Sequence, residues 1–200
     1  MKKIFLIIII SIYFNNYSTA QNCFDAYDSL FTDETANMNY NEFHKLELNF
    51  LNNLNGCKAI DFNVTTIEGE DIVFEALRGK VIVLNFWFTT CIPCLKEIPE
   101  LNKLVEQNNS DEVIFIGLAR ENKQILDDFF NRFGIFKYKI IPEAYTIADN
   151  YKVIAWPQSM VIDKNGKVYQ SWAGVDQTPD ELIKQIQNAI DRCLSMPDNL

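Results

Sequence analysis

Val81-Ile-Val-Leu-Asn-Phe-Trp-Phe88, followed shortly by Cys91-Ile92-Pro93-Cys94, is the stretch that decides how this chain reads. A nearly unbroken apolar run of this length suits a strand buried on both faces of a sheet. Beyond the cysteines, Leu95, Ile98, Leu101, Leu104 and Val105 recur at helical spacing, which predicts a helix from Leu95 to Gln107. The two thiols therefore fall where a strand turns into a helix. Disulfide exchange needs a thiolate, and a free cysteine with a pKa of about 8.5 is mostly protonated at neutral pH. The unpaired N–H groups and partial positive charge of a helix N-terminus favour an anion there. Cys91 reads as the nucleophile at the helix mouth, and Cys94, one turn further in, as the thiol that resolves a mixed disulfide. Pro93 suits the first turn, where its missing N–H costs nothing. A structural zinc site would need four ligands, commonly from two such pairs. Cys23, Cys57, Cys193 and the single histidine, His44, offer no second pair, so neither metal nor cofactor is expected.

Outward from this core, strand and helix signals alternate. Ala59 to Val64 and Ile72 to Phe74 read as strands around a turn at Glu68-Gly69-Glu70. Val113 to Leu118 is a second continuous apolar strand, and Lys123 to Phe133 carries its apolar residues at the spacing of a crossover helix. Tyr145 to Tyr151 is a short helical stretch. Ser159 to Asp163 and Lys167 to Trp172 flank Lys164-Asn165-Gly166, whose Asn-Gly pair predicts an antiparallel hairpin. A last helix begins at Thr178-Pro179-Asp180-Glu181, with threonine as cap and proline in the first turn. The fold class is α/β: a mixed central sheet with helices on both faces. Phe43, Leu46, Phe50, Leu51 and Leu54 add an amphipathic helix ahead of this unit, closed by Gly56.

The N-terminus sets the compartment. Lys2 and Lys3 precede the apolar run Ile4 to Ile10, and Ser18-Thr19-Ala20 resembles a small-residue cleavage site. Residues 1–20 read as a secretory signal peptide, which predicts an exported, periplasmic protein; an uncleaved membrane tether is the alternative. The organisation is then residues 1–20 signal, 21–56 helical extension, 57–193 main domain and 194–200 tail. The formal net charge is −9, and removing Lys2 and Lys3 with the signal gives −9 − 2 = −11. No basic run marks a nucleic-acid groove or a polybasic membrane patch.

At this point the chain resembles the thioredoxin superfamily, and within it the exported TlpA/ResA type. Gly56-Cys-Lys-Ala-Ile-Asp-Phe62 is similar to the opening strand of these proteins, Leu77-Arg-Gly-Lys-Val-Ile-Val-Leu-Asn-Phe-Trp87 to their second landmark, and Cys91 to Pro99 to their active-site helix. Ala155-Trp156-Pro157-Gln158-Ser159 falls where the family places its cis-proline loop, beside which an extended substrate pairs with exposed backbone. The resemblance implies a thioredoxin-like fold. It makes Pro157, Trp156, Trp87 and Pro93 candidates for substrate binding, and Glu97 a candidate proton carrier for Cys94 if burial raises its pKa. A solvated glutamate favoured by the helix dipole is the plainer reading of Glu97. Pro99 matches the helix-kinking proline of the superfamily.

There are departures from the pattern. Thr90 stands where a tryptophan often precedes the first cysteine, Trp156 replaces a small residue, and Asn85 occupies the position of a buried aspartate common in cytosolic thioredoxins. A peroxidase of the peroxiredoxin kind is disfavoured by Phe88, three residues before Cys91 where those enzymes need threonine or serine, and by Leu84 in place of a proline. Cys23, Cys57 and Cys193 are an odd set. A Cys23–Cys57 bridge would pin the extension to the domain, but spacing does not settle the pairing.

The expected function is reduction of protein disulfides through a Cys91 mixed disulfide. The partners are a disulfide-containing protein substrate and a membrane or periplasmic electron-donor protein. A thiol oxidant, and a binding or chaperone module without turnover, are the alternatives.

Overall fold

The computed structural model describes residues 23–30, 32–33, 35–174 and 177–197. The signal peptide expected at residues 1–20 lies outside them. The strands and longer helices of the described residues follow in chain order. They are α1 (Tyr40–Asn53), β1 (Asn63–Thr65), β2 (Asp71–Val73), β3 (Val81–Trp87), α2 (Ile92–Gln107), β4 (Val113–Ala119), α3 (Lys123–Phe133), β5 (Lys139–Ile141), α4 (Tyr145–Asn150), β6 (Gln158–Ile162), β7 (Val168–Ala173) and α5 (Pro179–Ser195).

The main sheet runs β5-β4-β3-β6-β7. Its central strand, β3, pairs parallel with β4 and antiparallel with β6, and β5 extends the parallel side. Every residue of β3 is buried. Because side chains alternate across a strand, its two faces enter two cores. Val81, Val83 and Trp87 pack with α2, α3 and α5, while Ile82, Leu84 and Phe86 pack with α1, α4 and the segment around Phe24. The architecture is the thioredoxin-like α/β fold, with helices on both faces of a mixed sheet.

Local chemistry explains the boundaries. Asn39 caps α1 and Thr178 caps α5, each in a reciprocal capping box with the glutamate three residues on. Gly166 turns the β6–β7 hairpin at φ +73°, and a Cβ there would fall 2.4 Å from Arg78 Nε. Asn85 points into the buried sheet and donates to Ser159 Oγ at 3.0 Å, a neutral bond where a lone carboxylate would need a proton or a cation.

Two elements differ from the sequence reading. The strand expected over Ala59 to Val64 shrinks to β1, because only Asn63–Thr65 has a partner strand. Upstream of it, Ala59 and Ile60 are plugged into the core, and Lys58 makes a single bridge to Lys167. Conversely, β5 is a three-residue strand that the sequence reading did not contain, recruited by parallel pairing of Lys139, Ile140 and Ile141 with Ile116, Gly117 and Leu118.

The extension is anchored. Cys23 and Cys57 form a disulfide that spans 34 positions, and Phe24 beside it is fully buried against Tyr151. Lys152 adds an ion pair to Asp28 at 2.8 Å. Cys193 lies on the buried face of α5, where burial pushes its thiol up to about 12 and keeps it protonated at neutral pH. No helix among the described residues is long and apolar enough to cross a membrane.

Candidate active site

The site stands at the carboxyl end of β3. After Trp87 the chain makes a short turn through Phe88, Thr89 and Thr90, and the Cys91 N–H returns to the Phe88 carbonyl at 3.1 Å. Glu121 ties the turn down by accepting from both the backbone N–H and the hydroxyl of Thr89 at 2.8 Å. Cys91 is the N-cap of α2, and its sulfur accepts the Cys94 N–H at 3.2 Å. The two cysteines are joined as a disulfide, with Cα atoms 5.2 Å apart. Both are buried, whereas Ile92 between them is 67% exposed and Pro93 is half-buried in the first helical turn.

The helix dipole and the free N–H groups at the start of α2 therefore converge on Cys91, the placement that favours a thiolate. Cys94 faces inward. One turn further along the same buried face is Glu97, 7% exposed, with Oε2 lacking any hydrogen-bond partner. Desolvation pushes its carboxyl up to about 8. The plainer reading of Glu97 as a solvated helix residue does not fit this burial. Tyr138, also buried and with an unpartnered hydroxyl, is held above the ordinary phenol range by burial and by the Glu97 charge.

The loop before β6 reaches the same end of the sheet, since Gln158 pairs with Phe86 beside the end of β3. The Trp156–Pro157 peptide bond is cis. Pro157 is buried and its carbonyl accepts the Gly174 N–H at 2.9 Å. Trp156 is half-buried, and its backbone has no hydrogen bond among the described residues. Its ring meets Phe88 edge-on at 5.9 Å. Trp87 is different: it is fully buried among Phe129, Phe130 and Phe136, and so has no surface to offer a substrate. Gly117 makes room for it, since a Cβ there would lie 3.3 Å from the indole nitrogen and 2.8 Å from Ile140 Cδ1.

Three residues of this neighbourhood went unremarked in the sequence: Arg120, Glu121 and Tyr145. Their signal was position. Trp87 pairs in register with Ala119, so the residues after β4 emerge beside those after β3, at the end of a parallel sheet where sites form.

A mixed five-stranded sheet with a Cys-x-x-Cys disulfide capping its active-site helix defines a thioredoxin-fold thiol-disulfide oxidoreductase. The AhpC/TSA family model matches residues 55–171, and the chain belongs to that family. It is 37% identical over 128 residues to the thiol-disulfide oxidoreductase ResA of Bacillus thuringiensis (strain Al Hakam), covering 64% of this chain and 73% of that one. Its identity to ResA of Halalkalibacterium halodurans is 29% over 135 residues, 66% of this chain and 77% of that protein. Among solved structures, StoA from Bacillus subtilis superposes with a TM-score of 0.54 at 26% identity, covering 64% of this chain and 97% of that one. A thioredoxin-family thiol:disulfide interchange protein from Chlorobium tepidum TLS superposes at 0.57 with 23% identity, covering 66% and 95%. That second likeness speaks to the fold.

Proposed function

We propose that the chain is an exported, periplasmic reductase of protein disulfides in which Cys91 attacks and Cys94 resolves. The observation that carries this reading is the placement of the Cys91–Cys94 pair at the N-terminus of α2, at the end of the sheet where the cis Trp156–Pro157 loop enters β6. In the reduced protein, the Cys91 thiolate forms a bond to one sulfur of the substrate disulfide and expels the other as a thiolate. The Cys94 thiolate then attacks Cys91 in the mixed disulfide, releases the substrate as a dithiol and leaves the protein oxidised. Glu97 holds a proton near Cys94 and can take or return it as the thiol changes state. The unpaired backbone of Trp156 is suited to pair with an extended substrate segment, with Pro93 and Pro157 shaping the approach.

Two electrons must be restored after each turnover, which calls for a membrane or periplasmic donor protein. The amino-terminal apolar segment and the Cys23–Cys57 disulfide both favour an oxidising compartment outside the cytoplasm. The organisation that follows is a signal at residues 1–20, an extension at 21–56, the catalytic domain at 57–193 and a short tail at 194–200.

Insulin reduction with dithiothreitol tests the reading. Wild type is expected to accelerate precipitation and Cys91→Ser to remove the acceleration; equal rates would leave a binding module without turnover. The reduction potential tests the direction. A value near the thioredoxin end, about −270 mV, fits a reductant, and one near −120 mV would make the protein an oxidant.

A further inference from the structure

Arg120 stands directly after β4, beside the turn that leads to Cys91. Its guanidinium lies 5.0 Å from the Phe88 ring centre, 5.2 Å from that of Tyr145 and 5.5 Å from that of Trp156. Its backbone N–H is held by the Trp87 carbonyl at 3.3 Å, so the side chain starts from the rigid sheet. The three rings belong to the active-site turn, to α4 and to the loop before β6. Arg120 thus links the two segments that must both touch a substrate.

A cation set among aromatic faces keeps its charge and loses little freedom when it binds an anion. Of its five side-chain N–H donors, one is engaged among the described residues, from Nε to the Tyr145 hydroxyl at 3.4 Å. Among the described residues no carboxylate lies within ion-pair distance of it. Glu121, its neighbour in sequence, is engaged by Thr89, and Lys152, the other cation of the same cleft, is paired with Asp28. The cleft is open, about 430 Å³, and bounded by Arg120, Tyr145, Asp149, Lys152 and Trp156, with Tyr27 and Asp28 contributed by the disulfide-anchored extension. Asp149 leaves Arg120 free, being outside ion-pair distance. In a chain of net charge −9, an arginine without a carboxylate partner among the described residues, set on the turn that leads to the Cys91–Cys94 disulfide, is a local exception that favours an anionic contact.

We infer that Arg120 is a specificity-determining residue that grips a carboxylate on the substrate polypeptide close to the disulfide being reduced. The inference rests on the disulfide-reductase reading above. The Phe88, Tyr145 and Trp156 rings surround the guanidinium at the edge of the cleft, where an Asp or Glu side chain of the bound segment can be met by two parallel hydrogen bonds. An extended segment seated along the Trp156 backbone has every second side chain on the same face, so one acidic residue two positions from the substrate cysteine is enough.

The test uses the reduced wild-type protein in single turnover against three disulfide-cyclised peptides that differ only in carrying Glu, Gln or Lys two positions from the attacked cysteine, with glutathione disulfide as a fourth substrate. The Glu peptide is expected to react about tenfold faster than the Gln peptide, as for a charge-assisted hydrogen bond, and the Lys peptide more slowly than either. Arg120→Gln brings the Glu-to-Gln ratio close to one, and Arg120→Lys restores part of it. Equal rates for the three peptides in wild type, or an unchanged ratio in Arg120→Gln, would overturn the inference while leaving the reductase reading intact. An Arg120 dependence confined to glutathione disulfide would overturn the polypeptide assignment. Failure of wild type to reduce any of the four would remove the reductase reading, and this inference with it.

Discussion

Glu97 lies one helical turn beyond Cys94 on the buried face of α2, with one carboxyl oxygen lacking a hydrogen-bond partner. Desolvation sets its pKa near neutrality, at about 8, the range in which the proposed mechanism needs it to hold a proton for Cys94 in the reduced protein.

That shift makes a prediction for stability. Between the ordinary value of 4.5 and about 8, the native protein keeps a proton that the unfolded chain has released. The native state binds more protons in this window, so stability falls as pH rises through it. The contribution is fully present below about pH 4.5 and is lost as pH passes about 8. Urea unfolding of the wild type is expected to weaken from pH 5 to pH 9 by about 4 kcal/mol more than that of Glu97→Gln, which cannot charge. Parallel pH profiles for the two proteins would count against a buried, proton-holding Glu97.

The same substitution reports on catalysis. Positioned acid–base groups contribute about 100-fold or more, so Glu97→Gln is expected to slow disulfide reduction by at least about tenfold and to flatten its pH dependence on the alkaline side. A uniform loss at all pH values would indicate a packing defect instead.

Ser159→Ala leaves the Asn85 amide without its buried partner. The expected cost is about 1–3 kcal/mol of stability, read from the urea midpoint, with the reduction potential of the Cys91–Cys94 couple unmoved.

Replacing Cys23 and Cys57 together by serine tests the role of the extension. Their loop spans 34 positions, and its removal is expected to cost about 2–4 kcal/mol. Insulin reduction at low temperature should persist, because neither residue is part of the exchange chemistry. Loss of activity in a variant that remains folded would mean that the extension shapes the substrate cleft.

The strongest features of the molecule could be read before any coordinates. The unbroken apolar run of β3, the thiols at its end, the periodicity of α2 and the Asn165-Gly166 hairpin are local signals, each enforced by sterics or burial along a few consecutive residues. What escaped depends on partners distant in sequence. β5 is three residues long and exists because β4 offers an edge, and β1 is short because β2 is. Trp87 reads as a groove residue beside the cysteines, yet strand alternation places it with Val81 and Val83 against α3. Arg120 carries no motif at all. Only the parallel register of Trp87 with Ala119 brings it to the site.

The central claim is that Cys91 is the attacking sulfur and Cys94 the resolving one. In Cys94→Ser, a mixed disulfide with a peptide substrate cannot be resolved and should accumulate. Mass mapping of the trapped adduct is expected to place the peptide on Cys91, with no adduct formed by Cys91→Ser. An adduct that still forms in Cys91→Ser through Cys94 at a comparable rate, or none in either variant, would contradict the account.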